Sequence, residues 1–143
     1  MEVRSTRRKL PDTLSIEEVV RLIESPDVSD PLGLRDRAML EFAYATGTRV
    51  SELITMPVSG VLFREDIVRI TGKGSKERIV PLGSTAKEQV LAYLERSRPA
   101  LMGKTPRDTL FLNARGGPLT RMGFWKILRK YVIQTGITRH TSP

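Results

Sequence analysis

The chain has no cysteine, one histidine and one tryptophan among 143 residues. Without thiols there is no disulfide framework, and zinc sites built on thiolates are excluded. Aromatic residues make up only 6%, yet 39% hydrophobic and 28% charged residues suffice for one buried core and exclude wholesale disorder. No apolar run approaches the roughly 20 residues needed to span a bilayer. The polar opening, Met1 to Lys9, lacks the hydrophobic segment of a signal peptide, so a cytoplasmic protein without membrane contact is expected. A chain of this length is expected to form one compact domain.

Acidic residues are missing from one stretch in particular. Residues 109 to 143 carry Arg115, Arg121, Lys126, Arg129, Lys130 and Arg139 with no Asp or Glu, a net of +6. Residues 1 to 9 add Arg4, Arg7, Arg8 and Lys9 against Glu2, a net of +3, whereas residues 10 to 108 come to −1. All of the excess behind the overall +8 therefore sits at the two ends. Segregated positive charge suits a polyanionic partner, and with no strongly amphipathic basic helix at the N-terminus that partner is nucleic acid rather than membrane. The plainer reading is that both ends are simply solvated.

Periodicity divides the chain into helices around a short β segment. Ser15-Ile16-Glu17-Glu18 has the form of a capping box ahead of Val19, Val20, Leu22 and Ile23, and Pro26 closes that helix. Leu34, Ala38, Phe42 and Ala45 keep helical spacing up to Gly47, which suits a left-handed cap. A short helix spans 50 to 55. Three β-rich pieces follow, at 61–63, 67–70 and 78–82, with turns at Arg64-Glu65-Asp66 and Gly72-Lys73-Gly74-Ser75. Ser84 is expected to cap a helix that Pro99 stops. Leu110-Phe111-Leu112 reads as extended, and Thr120 caps a helix carrying Phe124, Leu128, Tyr131 and Val132 as far as Gly136. The fold class expected is α+β, mainly helical, with a small three-stranded antiparallel sheet.

Two segments carry the chemistry. In Gly47-Thr48-Arg49-Val50-Ser51-Glu52-Leu53, Arg49 opens a helix, where its guanidinium and the free amides can share an anion, and Glu52 can fix its side chain. The plain alternative is an Arg49–Glu52 surface pair at helical spacing. In Thr71-Gly72-Lys73-Gly74-Ser75-Lys76-Glu77-Arg78, Lys73 sits at a hairpin tip, where its ammonium can supply both a charge and a proton. A nucleotide-binding P-loop fails, because Ile67 and Gly74 occupy positions that require glycine and Ser or Thr. A solvated turn is the bland reading of this segment.

Taken together, Thr46-Gly47-Thr48-Arg49-Val50-Ser51-Glu52-Leu53 and, 24 residues after the arginine, Gly72-Lys73-Gly74-Ser75-Lys76-Glu77-Arg78-Ile79-Val80-Pro81-Leu82 resemble the catalytic domain of tyrosine recombinases, the XerC/XerD branch above all. The likeness runs through residues 10 to 143 and includes Leu119-Thr120-Arg121 before Phe124-Trp125. It implies a domain that clamps double-stranded DNA and exchanges strands through a covalent 3′-phosphotyrosine, without metal or cofactor, in a form that assembles as a tetramer on two DNA sites. By the same likeness Arg49 binds the scissile phosphate and Lys73 protonates the leaving 5′ oxygen. Glu52 supports them, while Lys76, Arg78, Thr120, Arg121 and Lys126 contact DNA.

Two departures stand out. Gly60 occupies a position where the family usually has Asp, and the chain stops at Pro143, where the family continues into a His-x-x-Arg motif and then its nucleophilic tyrosine. Tyr44, Tyr93 and Tyr131 fall on helices at or beside core spacing, and His140 reads as a loop residue, so no nucleophile is expected in this chain. Residues 1–10 are expected to be a basic linker remnant and residues 11–143 a partial catalytic domain, inactive alone. Two other readings are a non-catalytic DNA-binding or regulatory module of the same fold and an unrelated basic nucleic-acid-binding domain.

Overall fold

Ser15 and Glu18 close the expected capping box: Ser15 Oγ accepts from the Glu18 N–H at 3.1 Å, and Glu18 Oε1 accepts from the Ser15 N–H at 2.9 Å. They start α1, Ile16–Ile23, which buries Val19, Leu22 and Ile23. The computed structural model describes residues 14–104 and 106–137. The expected linker remnant at 1–10 and the loop residue His140 lie outside the described residues, as does Arg139.

The central helix α2, Pro31–Thr46, begins three residues earlier than its apolar spacing suggests. Asp30 caps it by accepting from the Gly33 N–H, and Pro31 fits the first turn because no partner for its nitrogen is needed there. Leu34, Ala38, Met39, Leu40 and Phe42 are buried along it. Gly47 ends it at φ 67°, the left-handed conformation in which a side chain costs energy. Thr46 and Thr48, both buried, then join hydroxyls at 3.2 Å and lead into α3, Val50–Ile54.

A 3-10 turn, Val58–Gly60, closed by the Gly60 N–H donating to Pro57 O at 3.0 Å, delivers the chain to the sheet. The strands β1, Val61–Leu62, β2, Ile67–Thr71, and β3, Glu77–Pro81, are antiparallel in the order β1-β2-β3. Val68 faces Val80 and Ile70 faces Arg78 across the β2–β3 ladder. Side chains paired this way share one side of the sheet. Val68 and Ile70 are buried, so that side is the core side, and Ile79, in the opposite phase, is exposed.

After the sheet, α4, Ser84–Ala92, packs along α2. Ser84 is its first residue rather than its cap. Gly83 takes the cap position at φ 83°, and no side chain caps the helix. Pro99 does not stop it either. A π turn, Tyr93–Ser97, widens the helix, and α5, Arg98–Leu101, carries it on with Pro99 in the first turn, where its missing N–H is least costly. Leu110, Phe111 and Leu112 are fully buried, but rather than the expected extended piece the chain bends at Leu110 and Phe111 between isolated bridges at Thr109 and Leu112. Phe111 meets the rings of Phe42 and Tyr93, each with centroids 5.6 Å away. Thr120 accepts from the Gly123 N–H at 2.9 Å and caps α6, Arg121–Gln134, whose Phe124, Leu128, Tyr131 and Val132 enter the same core. No helix among the described residues is long and apolar enough to cross a membrane. The architecture is the expected α+β one, mainly helical with one small antiparallel sheet.

Candidate active site

Arg49 precedes the first residue of α3 and its side chain is exposed. The buried threonines on either side of Gly47 fix where the chain turns, and Leu53 anchors α3 in the core at 1% exposure, so the direction of Arg49 is set by its neighbours. Glu52 lies one turn on and is almost wholly buried. Its Oε1 accepts from the backbone N–H of Arg49 at 2.8 Å. The sequence suggested that Glu52 would steady the Arg49 side chain. The structure shows it holding the Arg49 backbone, which occupies one of the amides at the helix start, while Arg49 itself is exposed.

The other half of Glu52 reaches the hairpin. Arg78 Nη1 donates to Glu52 Oε2 at 2.9 Å and Nη2 to Oε1 at 3.1 Å, a two-pronged contact across 26 residues. Gly72 lies directly beneath it. A Cβ at position 72 would stand 3.0 Å from Glu52 Oε2, a tight contact that would push the carboxylate aside by a few tenths of an ångström. Gly72 in turn donates its N–H to Lys76 O at 2.8 Å and accepts from Ser75 N–H at 3.2 Å, closing the tight turn Lys73–Ser75 in which Gly74 has φ 73°. Lys73 is exposed on this turn. One carboxylate thus ties the start of α3 to the root of the hairpin, bringing Arg49 and Lys73 to the same end of the fold.

The remaining expected residues divide in two. Lys76, Thr120, Arg121 and Lys126 are exposed, and α6, which carries Arg121 and Lys126, packs against α3. Arg78, expected among the cations that meet DNA, pairs with Glu52 while its side chain stays 44% exposed. The signal was present in the sequence: Arg78 is in phase with Val80, half-buried on β3, and with the buried Leu82 just beyond it, so its side chain leaves the strand on the core side.

The tyrosines do different work. Tyr93 Oη donates to Leu110 O at 2.7 Å and accepts from Leu112 N–H at 3.0 Å, and burial pushes its hydroxyl up to about 12. Tyr131 Oη donates to Asp36 Oδ2 at 2.5 Å, and burial together with that carboxylate raises its pKa further. Tyr44 is 42% exposed, beside the core rather than in it. Sequence reasoning missed the group around Asp36 altogether: Arg35 Nη2 pairs with Asp36 Oδ1 at 2.6 Å and Arg35 Nη1 donates to Leu112 O at 3.0 Å, with both side chains buried. Three adjacent charges in Leu34-Arg35-Asp36-Arg37 look like a solvated stretch, and only burial reveals a network.

Comparison with known proteins places the sequence and the fold. Residues 12–143 match the phage integrase family. The whole chain is 46% identical to tyrosine recombinase XerD of Staphylococcus epidermidis, of which it covers 48%. Among solved structures, XerA recombinase superposes with a TM-score of 0.75 at 28% identity, over 89% of this chain and 44% of that one. XerH site-specific recombinase bound to difH substrate in a pre-cleavage complex superposes with a TM-score of 0.74 at 26% identity, over 92% of this chain and 39% of that one. The chain therefore spans about half the length of the curated relatives it matches. On motif, fold and match alike, it belongs to the phage integrase family, the tyrosine recombinases.

Proposed function

We propose that this chain supplies the Arg49 and Lys73 half of the catalytic domain of a site-specific DNA recombinase. The observation that carries this reading is Glu52, which links the backbone of Arg49 to the hairpin of Lys73 through one buried carboxylate. In the reaction a tyrosine oxygen attacks a backbone phosphorus, forms the 3′-phosphotyrosine and breaks the bond to the 5′ oxygen, which departs with a proton. Negative charge grows on the non-bridging oxygens and on the departing oxygen. The exposed side chain of Arg49 suits the first and the ammonium of Lys73 the second. Double-stranded DNA is the partner, held by Lys76, Thr120, Arg121 and Lys126. Residues 11–143 make up the catalytic portion, preceded by a basic linker at 1–10, and the complete recombinase works in the cytoplasm as a tetramer on two sites.

The chain alone does not cleave. Tyr93 and Tyr131 are held in the core by the hydrogen bonds described, and Tyr44 stands on α2 without a link to Arg49 or Lys73 among the described contacts. Incubated with a supercoiled plasmid carrying a suitable site, it forms no covalent adduct, and an adduct at any of these tyrosines refutes the assignment. In the complete recombinase, Lys73→Ala slows cleavage by roughly 10²-fold or more, the usual scale of positioned proton transfer. A substrate whose 5′ leaving group is sulfur needs no acid and recovers the rate. Equal loss on both substrates assigns Lys73 to phosphate binding only.

A further inference from the structure

The hairpin that carries Lys73 is anchored at its root by the buried Val68 and Ile70 of β2, while its tip stands in solvent. Lys73, Gly74, Ser75, Lys76 and Glu77 are all exposed, and β3 is an edge strand whose residues are exposed except for a half-buried Val80. The Arg69–Glu77 pair across the ladder is long, at 3.8 Å, with both side chains about half exposed. Against this, Arg78 grips Glu52 with two nitrogens on two oxygens, and Glu52 is only 8% exposed. A forked guanidinium on a carboxylate fixes orientation as well as distance. The grip sits five residues beyond Lys73 and directly over Gly72.

From this geometry we propose that Arg78 is a positioning residue: it latches the hairpin to the start of α3 through Glu52, and so sets where Lys73 stands relative to Arg49. The inference rests on the function proposed above for Lys73, but its central test does not. Because Glu52 neutralises it, Arg78 adds nothing to the phosphate-binding charge of the surface, in contrast to Lys76 two residues earlier.

The decisive measurement is amide hydrogen exchange on the 143-residue chain, read at the Gly72 and Ser75 N–H groups. Arg78→Gln speeds their exchange about tenfold, the scale of losing one charge-assisted two-pronged contact, while the core amides of α2 keep their protection. Arg78→Lys, which retains charge but not the fork, recovers part of the protection. Unchanged exchange in Arg78→Gln overturns the latch. Duplex binding supplies the second arm: Arg78→Gln leaves the slope of log K against log salt unchanged, whereas Lys76→Gln reduces its magnitude by about 0.9. A reduction of that size in Arg78→Gln makes Arg78 a phosphate contact and overturns the proposal. If the chain binds no duplex at all, the proposed function fails while the exchange result still decides the latch. In the complete recombinase, Arg78→Gln slows cleavage of an ordinary substrate and the sulfur leaving group restores it, because only the delivery of the Lys73 proton is disturbed. Equal slowing on both substrates rules out a positioning role for Arg78 toward Lys73.

Discussion

Two arginine–carboxylate pairs of similar chemistry sit in this fold in opposite surroundings. Arg35–Asp36 lies inside, with side-chain exposures of 6% and 1%, and joins α2 to the buried segment 110–112 through Leu112 O and to α6 through Tyr131. Arg78–Glu52 lies at the margin, with exposures of 44% and 8%, and joins α3 to the exposed edge strand of the hairpin. In the first pair each partner has lost its water, so removing one strands the other. In the second, the Arg78 guanidinium keeps part of its water and only Glu52 is buried. The same contact is therefore a structural element in one place and a movable latch in the other.

The sharpest way to break this contrast is Asp36→Ala. It leaves the Arg35 guanidinium buried without its carboxylate and is expected to cost about 3–5 kcal/mol in urea unfolding, enough to unfold a marginal domain. A loss below about 1 kcal/mol would place the inner pair in the same class as the outer one.

Alkaline pH probes the inner region without mutation. The folded state holds the Tyr93 proton up to about 12 and that of Tyr131 beyond it, against an ordinary value of 10.0 in the unfolded chain. Folded pKa values raised in this way contribute stability that is complete below pH 10 and is lost as pH rises above it. Each tyrosine adds a slope of up to ~1.4 kcal/mol per pH unit in that window. Melting temperatures should hold level to pH 10 and fall steeply towards 12, with a shallower fall in Tyr93→Phe. A flat profile would mean that the hydroxyls are not locked in.

Tyr131→Phe, at neutral pH, removes the donor to Asp36 Oδ2 and is expected to cost about 1–3 kcal/mol. Lys130 Nζ, 3.9 Å from the same oxygen and 4.7 Å above the Tyr131 ring, remains to moderate the loss. Double-mutant coupling between Asp36 and Tyr131 measures the contact directly. The smallest effect on stability is expected from Arg78→Gln, at most about 1 kcal/mol, because the guanidinium is half in water. Its urea midpoint should barely move even where hairpin exchange does, and a loss as large as that of Asp36→Ala would erase the distinction between the two regions.

Duplex binding by the chain tests the exposed cations together. If four of them neutralise phosphates, log K falls with log salt at a slope of roughly −3.6. Lys126→Ala lowers affinity and slope alike on all sequences, whereas Arg121→Ala, at the start of α6, also shifts base preference. Binding that ignores salt would make the basic surface irrelevant to DNA.

Local signals were legible where one residue type decides a conformation. Ser15 with Glu18, Gly47, the Gly72-Lys73-Gly74 turn and Thr120 all did in the structure what their chemistry requires in the sequence. Signals that depend on a distant partner were not. Pro99 was read as a stop because a proline inside a regular helix collides with the preceding turn, but a π turn upstream removes that collision. Ser84 was read as a cap because serine favours that place, but Gly83 precedes it with a positive φ and takes the position.

By itself the sequence determined the helical and strand periods, the motif pair around Arg49 and Lys73, and the family that the pair belongs to, because each depends on residue type and short spacing. Only the tertiary structure decided which charges face water. Arg35 and Asp36, adjacent charges in the sequence, are buried together, Arg78 pairs with Glu52, and Glu52 accepts from the Arg49 backbone. The free energy of a charge depends on its solvent and its partner, and both are fixed by residues as many as 95 positions away, as in the contact of Tyr131 with Asp36.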